Sequence, residues 1–525
     1  MDPASLPVVN EQVLNSSGRV CLRRFLCYGS ESATYSTKQC PLGMENALSL
    51  MQFIEGGRGC EVIEEIRRLN LEGRAVRPNP SLFALAVCSH HADCKTRQAA
   101  LRALKELCRT PEQLFTFVQY KKDLKEGSGM WGRALRRAVT DWYNSQDGMS
   151  LARAVTKCKH RAGWSHQDLL RLSHMKPTND AVALVCKYIT KGWKGVQEAY
   201  GDKEISDDLQ KVFGYLEAVE KAKHSTDEHE LVHLIEEQML EKEHVLTNHL
   251  KSKEVWKALL KEMPVVVLLK HLGKLTADKV LAPGSPDVAA VCERIQDETA
   301  LKKAKTQPFN ILVASENYKR GHGKRSKLKW VPDGDIVQAL GCAFCKTIST
   351  VEATGKRFLV AVDVSSSLSS VTHGSSISTV AVAAAMCMVI AQTELDAQIV
   401  VFSEGSVLPC TVSSDMTLMQ VAAQLIQTPG GSTDCALPIT WASENEKTVD
   451  VFIIFTNNQT LGRENPADTL KKYRQKSGLF SKLIVCGMIS NSLSIADPED
   501  RGMLDICGFD SQAVDVIRNF ALDVI

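Results

Sequence analysis

The chain has 525 residues, enough for two or more domains that each bury a core. Its 63 Lys and Arg against 61 Asp and Glu exclude a globally basic nucleic-acid binder, so any surface for polyanions must be local. Met1–Ser5 is neither basic nor apolar, the longest apolar runs (380–391) are too short to span a bilayer, and the 17 cysteines are odd in number and scattered, so a non-exported protein with reduced thiols is expected.

Residues 1–45 hold short apolar pieces punctuated by Asn, Ser, Gly and Pro, without a clear period. From Glu45 the 3.6-residue period dominates for roughly three hundred residues. It predicts helices over 45–54, 61–72, 79–89, 95–108, 111–124, 130–143, 151–161, 165–172, 180–191, 208–223, 227–242, 253–263 and 266–272. Thr110 before Pro111 reads as a cap with proline in the first turn, and Ser165 with Asp168 reads as a capping box. Helices of this length on short turns, with no strands between them, predict a stacked-pair α-solenoid, although no fixed-period repeat is visible.

The most charged part of this array is 150–195. From Arg153 to Lys194 there are nine Lys and Arg against two acids, Asp168 and Asp180. If a helix covers 151–161, Leu151, Val155, Cys158 and Ala162 share its buried stripe, while Arg153, Lys157 and Arg161 stack four apart as a ridge. Solvated helix faces normally alternate charge sign, and stacked cations repel one another. The alternative to a solvated face is a track for phosphates, which Lys176 and Lys187 extend. A second basic tract, 302–330, holds nine Lys and Arg against Glu316 alone. Within it the Gly-bearing stretch 318–330 is bounded by Tyr318 and Trp330, so it reads either as a second phosphate contact with bases stacking on the rings or as a solvated connector.

After Thr354 the grammar changes. Short apolar runs at 358–364, 398–402, 449–455 and 482–488 alternate with helical stretches at 378–393, 417–426 and 466–476, the pattern of a doubly wound parallel sheet. The stretch 378–393 is apolar nearly all round and should be sandwiched between layers. The first strand runs into Asp363-Val-Ser365-Ser-Ser367, a D-x-S-x-S at the carboxyl end, where open α/β sheets place ligands. A carboxylate and two hydroxyls suit a hard divalent cation, Mg²⁺ for preference, and the loop Gly430-Gly-Ser-Thr433-Asp434 adds more oxygens. The competing reading is a helix-capping turn. Here the chain resembles the von Willebrand factor A-type fold with its metal-ion-dependent adhesion site. That resemblance implies metal ligation by Asp363, Ser365, Ser367 and Thr433. The Asp usual after the central strand is Asn457 here, which removes one charge.

Other motifs are weaker. His229-Glu230-Leu-Val-His233 has the spacing of a helical zinc site with Glu230 as base, but it sits in a segment as dense in charge as a surface helix. Cys342 with Cys345, and Cys88, His90, His91 and Cys94, lack the second half of a zinc site and read as buried thiols and helix-end histidines.

The helical array, Gly163-Trp-Ser-His166, Leu169-Leu-Arg-Leu-Ser-His-Met-Lys-Pro177, Tyr188-Ile-Thr-Lys-Gly-Trp193 and the A-type domain occur together. Jointly they resemble the Ro ribonucleoprotein autoantigen family over essentially the whole chain. The resemblance implies a HEAT-like helical-repeat ring (the TROVE module) over 1–354, closed by a von Willebrand factor A-like domain over 355–525. It also implies Y RNA on a basic outer surface, and misfolded RNAs whose single-stranded 3′ ends thread a central hole. A monomeric, non-enzymatic RNA quality-control scaffold follows, cytoplasmic with a nuclear fraction. Lys157, Arg161 and His174 match positions that bind RNA in the family. Against the family pattern the chain is short between Cys21 and Leu22 and near Gly127-Ser-Gly129. The alternative function is a metal-dependent adhesion scaffold whose A domain grips an acidic protein partner through Mg²⁺.

Overall fold

The computed structural model describes all residues except 1–10, 125–129, 324–326, 365–369, 376, 404, 428–432, 457–463 and 491. The chain forms two compact units, one of residues 47–263 and one that joins 1–46 to 264–525. Residues 1–46 and 264–354 thus cluster with the sheet-bearing segment rather than with the central helices.

The unit 47–263 is built almost wholly of helices. Pro78–His90 packs on both Cys94–Leu107 and Pro111–Asp123, and Cys94–Leu107 packs in turn on Arg133–Asn144. Contacts between near neighbours in the chain are what stacked helix pairs produce. Polar caps set the starts: Asp93, Asp147, Asn179 and Ser252 each accept a backbone N–H of the first turn, and Thr110–Gln113 and Ser165–Asp168 form full capping boxes. Trp142, Tyr143, Tyr215 and Trp256 fill the interior. The helix expected over 227–242 stops at Gln238, because Met239 is left-handed (φ 49°). The helix from Asp180 breaks at Gly192 (φ 69°, ψ −173°) and resumes to Tyr200.

In the other unit a seven-stranded sheet has the order Thr34–Ser36, Met503–Cys507, Lys482–Gly487, Val451–Thr456, Arg357–Asp363, Asp396–Ser403, Ser406–Pro409. All pairs are parallel except the last. The connections reverse direction on either side of Arg357–Asp363, so the crevice for a ligand opens where Asp363 ends its strand. The helix Thr379–Thr393 is buried nearly all round, as its composition predicts; the sheet, Leu418–Leu425, Pro308–Lys319 and Gly334–Ile348 all pack on it.

Other regions depart from expectation, beginning with the strands Ser406–Pro409 and Met503–Cys507, which lie outside the expected apolar runs. Residues 11–28 form one helix, unbroken through Cys21–Leu22, with Leu22, Phe25 and Leu26 fully buried. It leads into Thr34–Ser36, which adds an edge strand by pairing with Met503–Cys507. In the basic tract 302–330, residues 324–326 lie outside the described residues, the helix Pro308–Lys319 precedes them, and the two rings are not free: Tyr318 is buried. Trp330 donates its indole N–H to the Tyr318 carbonyl (2.8 Å) and lies against Gly273, where a Cβ would sit 2.7 Å from the ring. Both rings are used in packing.

Candidate nucleic-acid interface

The helix Gly148–Lys157 starts at Asp147, whose carboxylate accepts the Ser150 N–H (3.0 Å). It buries Leu151, Ala152, Val155 and Thr156. It does not reach Arg161. Cys158 leaves helical geometry (φ −113°, ψ 86°), and His160–Arg161 pairs antiparallel with Trp164–Ser165. The two linking residues, Ala162 and Gly163, both have positive φ (50° and 78°), as a tight hairpin turn requires. The three-cation helical ridge therefore does not exist. Arg153 and Lys157 are helical, whereas Arg161 stands on the hairpin opposite Trp164. That hairpin is anchored from below: the Trp164 indole N–H donates to Gln119 (3.0 Å), Trp131 meets the ring edge-on, and Lys122 lies over its face.

The two helical cations are also engaged. Arg153 lies over the Tyr215 ring, 5.5 Å from its centroid. Lys157 forms an ion pair with Glu241. Beneath them is a buried polar triangle. Thr156 Oγ1, the Tyr215 hydroxyl and His244 Nε2 lie 3.1–3.3 Å apart, and His244 Nδ1 accepts the Glu241 N–H (3.0 Å). With Nδ1 accepting, a neutral ring carries its proton on Nε2, which donates into the triangle. Burial holds the His244 imidazole down to about 4, with Lys157 and Lys223 acting in the same direction and Glu241 opposing them. His166, buried against Tyr143 and bonded to its hydroxyl (2.7 Å), is likewise held to about 4 by burial.

Other cations of the tract are open. Lys159, Lys176, Lys191 and Lys194 are exposed and Lys187 is half-buried; among the described residues none pairs with a carboxylate. Arg161 is exposed, within Coulomb reach of Glu112. His174 is exposed in the left-handed conformation (φ 53°, ψ 42°), the bend by which the chain leaves His166–Ser173 for Lys176. Asn144 fixes this bend: its amide N–H donates to the Lys176 carbonyl (3.1 Å), and its amide oxygen accepts the Thr178 N–H (3.1 Å).

At the carboxyl edge of the sheet Asp363 is buried, and its Oδ2 accepts hydroxyl hydrogen bonds from Thr433 (2.9 Å) and Thr456 (3.0 Å). Asp363 and Thr433 come together as the motif implies, while Ser365, Ser367 and Asn457 lie outside the described residues. Thr456 was not expected; its position as the last residue of an apolar strand beside Asn457 was the available signal. The oxygen-only set suits a hard divalent cation.

The remaining motifs do not form sites. Glu230 accepts from Ser225 (2.6 Å), His233 faces Glu237 (3.3 Å), and no metal-binding cluster of His, Cys, Asp or Glu occurs among the described residues. Cys342 and Cys345 are exposed rather than buried, on the outer face of Gly334–Ile348, and so is Cys94; Cys88 is buried and its thiol pushed up to about 12. No described helix is long and apolar enough to cross a membrane.

The TROVE domain family matches residues 10–320, and the Ro60 vWA domain family matches 357–521. The chain belongs to the Ro60 family. A relative described as RNA-binding protein RO60 from Caenorhabditis elegans is 32% identical over 95% of this chain and 87% of its own length. Another of the same description from Deinococcus radiodurans is 36% identical, covering 85% and 82%. The crystal structure of the Deinococcus radiodurans RO (RSR) protein superposes with a TM-score of 0.85 at 31% identity, covering 97% of this chain and all of that one. In this Ro60-family chain the TROVE match contains the Gly148–Lys157 helix, the Arg161 hairpin and the His174 bend, and the Ro60 vWA match contains Asp363, Thr433 and Thr456.

Proposed function

We propose that this protein binds structured non-coding RNA through the basic surface of residues 153–194. The observation that carries the reading is the set of open cations between 159 and 194: Lys159, Lys176, Lys191 and Lys194 exposed and Lys187 half-buried, none paired with a carboxylate among the described residues. Cations unbalanced by acids neutralise phosphates without reading sequence. Both relatives described as RNA-binding support the same reading. Arg153, Arg161, His174, Lys176 and Lys187 make the direct contacts, and Lys157 joins as described below. The finer reading is a ribonucleoprotein scaffold that holds Y RNA on its outer surface and accepts misfolded RNAs by threading a single-stranded 3′ end through a ring. Selection then follows from shape and a free end, since A-form grooves hide base edges. Binding of a hairpin RNA with a single-stranded 3′ tail, titrated against salt, tests this. Replacing Arg161 and Lys176 by Ala should weaken binding and flatten the log–log slope by roughly 1.4, at about 0.7 per lost contact to a single strand. Unchanged affinity and slope would refute it.

A second reading concerns the sheet edge, where the convergence of Asp363, Thr433 and Thr456 is the supporting observation. Asp363, Thr433, Ser365 and Ser367 hold Mg²⁺, and Asn457 in place of a carboxylate makes the site weak. A bound ion there supplies an open coordination position for a carboxylate of a partner protein. Added MgCl₂ should raise the melting temperature of the native protein and not that of Asp363→Asn, by the mass-action stabilisation of a ligand that binds only the folded state. No shift in the native protein would refute the metal.

A further inference from the structure

Lys157 belongs to the basic tract 153–194 but lacks the freedom of its open cations. Its ammonium is paired with Glu241, which comes from a distant turn of the same unit. The partner is held from several sides. The Glu241 carboxylate accepts the His244 backbone N–H, and the His244 ring accepts the Glu241 backbone N–H in return. That ring is locked into the Thr156–Tyr215 triangle, and Thr156 immediately precedes Lys157 on its helix. The carboxylate is therefore presented to Lys157 by a buried, hydrogen-bonded frame, not by a wandering surface chain. Yet the pair is open to solvent, with side chains 37% and 38% exposed, so a polyanion can reach it.

We infer that Glu241 is a built-in stand-in for an RNA phosphate, and that RNA engages Lys157 only by displacing it. This rests on the RNA-binding reading of the surface. In the same basic tract Lys159, Lys176 and Lys191 offer phosphates an unopposed contact; Lys157 offers one only by exchange of one anion for another. An exchange adds little affinity, so short or poorly fitting polyanions that touch Lys157 alone are rejected. An RNA already held by the unopposed cations supplies its phosphate at high local concentration and wins the exchange. Glu241 is thus a specificity-determining residue that touches no RNA.

The test measures binding of a hairpin RNA with a single-stranded 3′ tail, across a salt series, to the full chain and to Glu241→Gln, Lys157→Ala and the double variant. Gln keeps an acceptor for the His244 N–H and removes the charge. Glu241→Gln should tighten binding about two- to five-fold, the scale of a partly exposed ion pair, and steepen the salt slope by up to about 0.7, because Lys157 is then free to neutralise one more phosphate and release the cation condensed on it. In the Lys157→Ala background the same change should have no effect. Unchanged or weaker binding by Glu241→Gln would mean that the carboxylate only orients the lysine, and tightening that persists without Lys157 would mean a general charge effect; either overturns the inference while leaving RNA binding intact. A native protein that does not bind the RNA at all overturns both.

Discussion

The buried His244 gives the frame beneath Lys157 a pH dependence that can be worked out. Its folded value lies near 4, below the ordinary 6.5, because burial disfavours the charged ring. The stabilisation from keeping it neutral is complete above 6.5 and is lost as pH falls from 6.5 toward 4, since the unfolded chain takes up the proton first. Between pH 6.5 and 5, at roughly 1.4 kcal/mol per pH unit, that costs about 2 kcal/mol. His166 has the same folded value and the same cause, so the two together cost about 4 kcal/mol over this interval. His244→Gln should retain only the His166 part, about half the loss. Five of the seven tryptophans (131, 142, 164, 193 and 256) lie in the unit 47–263, so urea unfolding followed by tryptophan fluorescence at pH 7 and pH 5 reports mainly on it. Asp505, in the other unit, is raised to about 6 by burial and acts in the opposite sense, its contribution being present at low pH and lost as pH rises through 6. It is common to both proteins and cancels in their difference. If His244→Gln loses as much stability as the native protein between pH 7 and 5, the buried triangle is not what the geometry describes.

Two further substitutions probe packing in the sheet-bearing unit. Gly273→Ala places a methyl 2.7 Å from Trp330 ring carbons and should destabilise by about 1–3 kcal/mol, read as a lower melting temperature together with altered Trp330 emission. Thr456→Val keeps the shape of the strand end but removes a hydroxyl donor from the buried Asp363 carboxylate. It should cost about 1–3 kcal/mol in chemical denaturation, and a neutral result would show that the carboxylate does not depend on it.

The helices of 47–263 were legible because each carries its own signals. Thr110-Pro111 and Ser165 with Asp168 mark starts that are hydrogen-bonded as their chemistry requires, and the apolar stripes match the buried faces. Four of the parallel strands were legible for a similar reason: a strand covered on both faces must be continuously apolar, as Val451–Thr456 is; Met503–Cys507 was missed because the buried Asp505 interrupts its apolar run. The edge strand Thr34–Ser36 was not legible, since three residues carry no period and acquire their conformation by pairing with Met503–Cys507. The end of the helix at Lys157 was missed because the stripe Leu151, Val155, Cys158, Ala162 continues in register past it; the signal that outweighed it was Ala162-Gly163, a two-residue turn.

Charge shows the same division. Composition and spacing determined that cations accumulate between 153 and 194, because acids are almost absent there. Which of them are free to meet a ligand was decided only by the tertiary structure. Glu241, Tyr215 and Glu112 arrive from other helices and turns to engage Lys157, Arg153 and Arg161, while Lys159, Lys176 and Lys191 are left in solvent. A linear pattern records which charges a segment owns; the field at each of them depends on what the fold brings within a few ångströms.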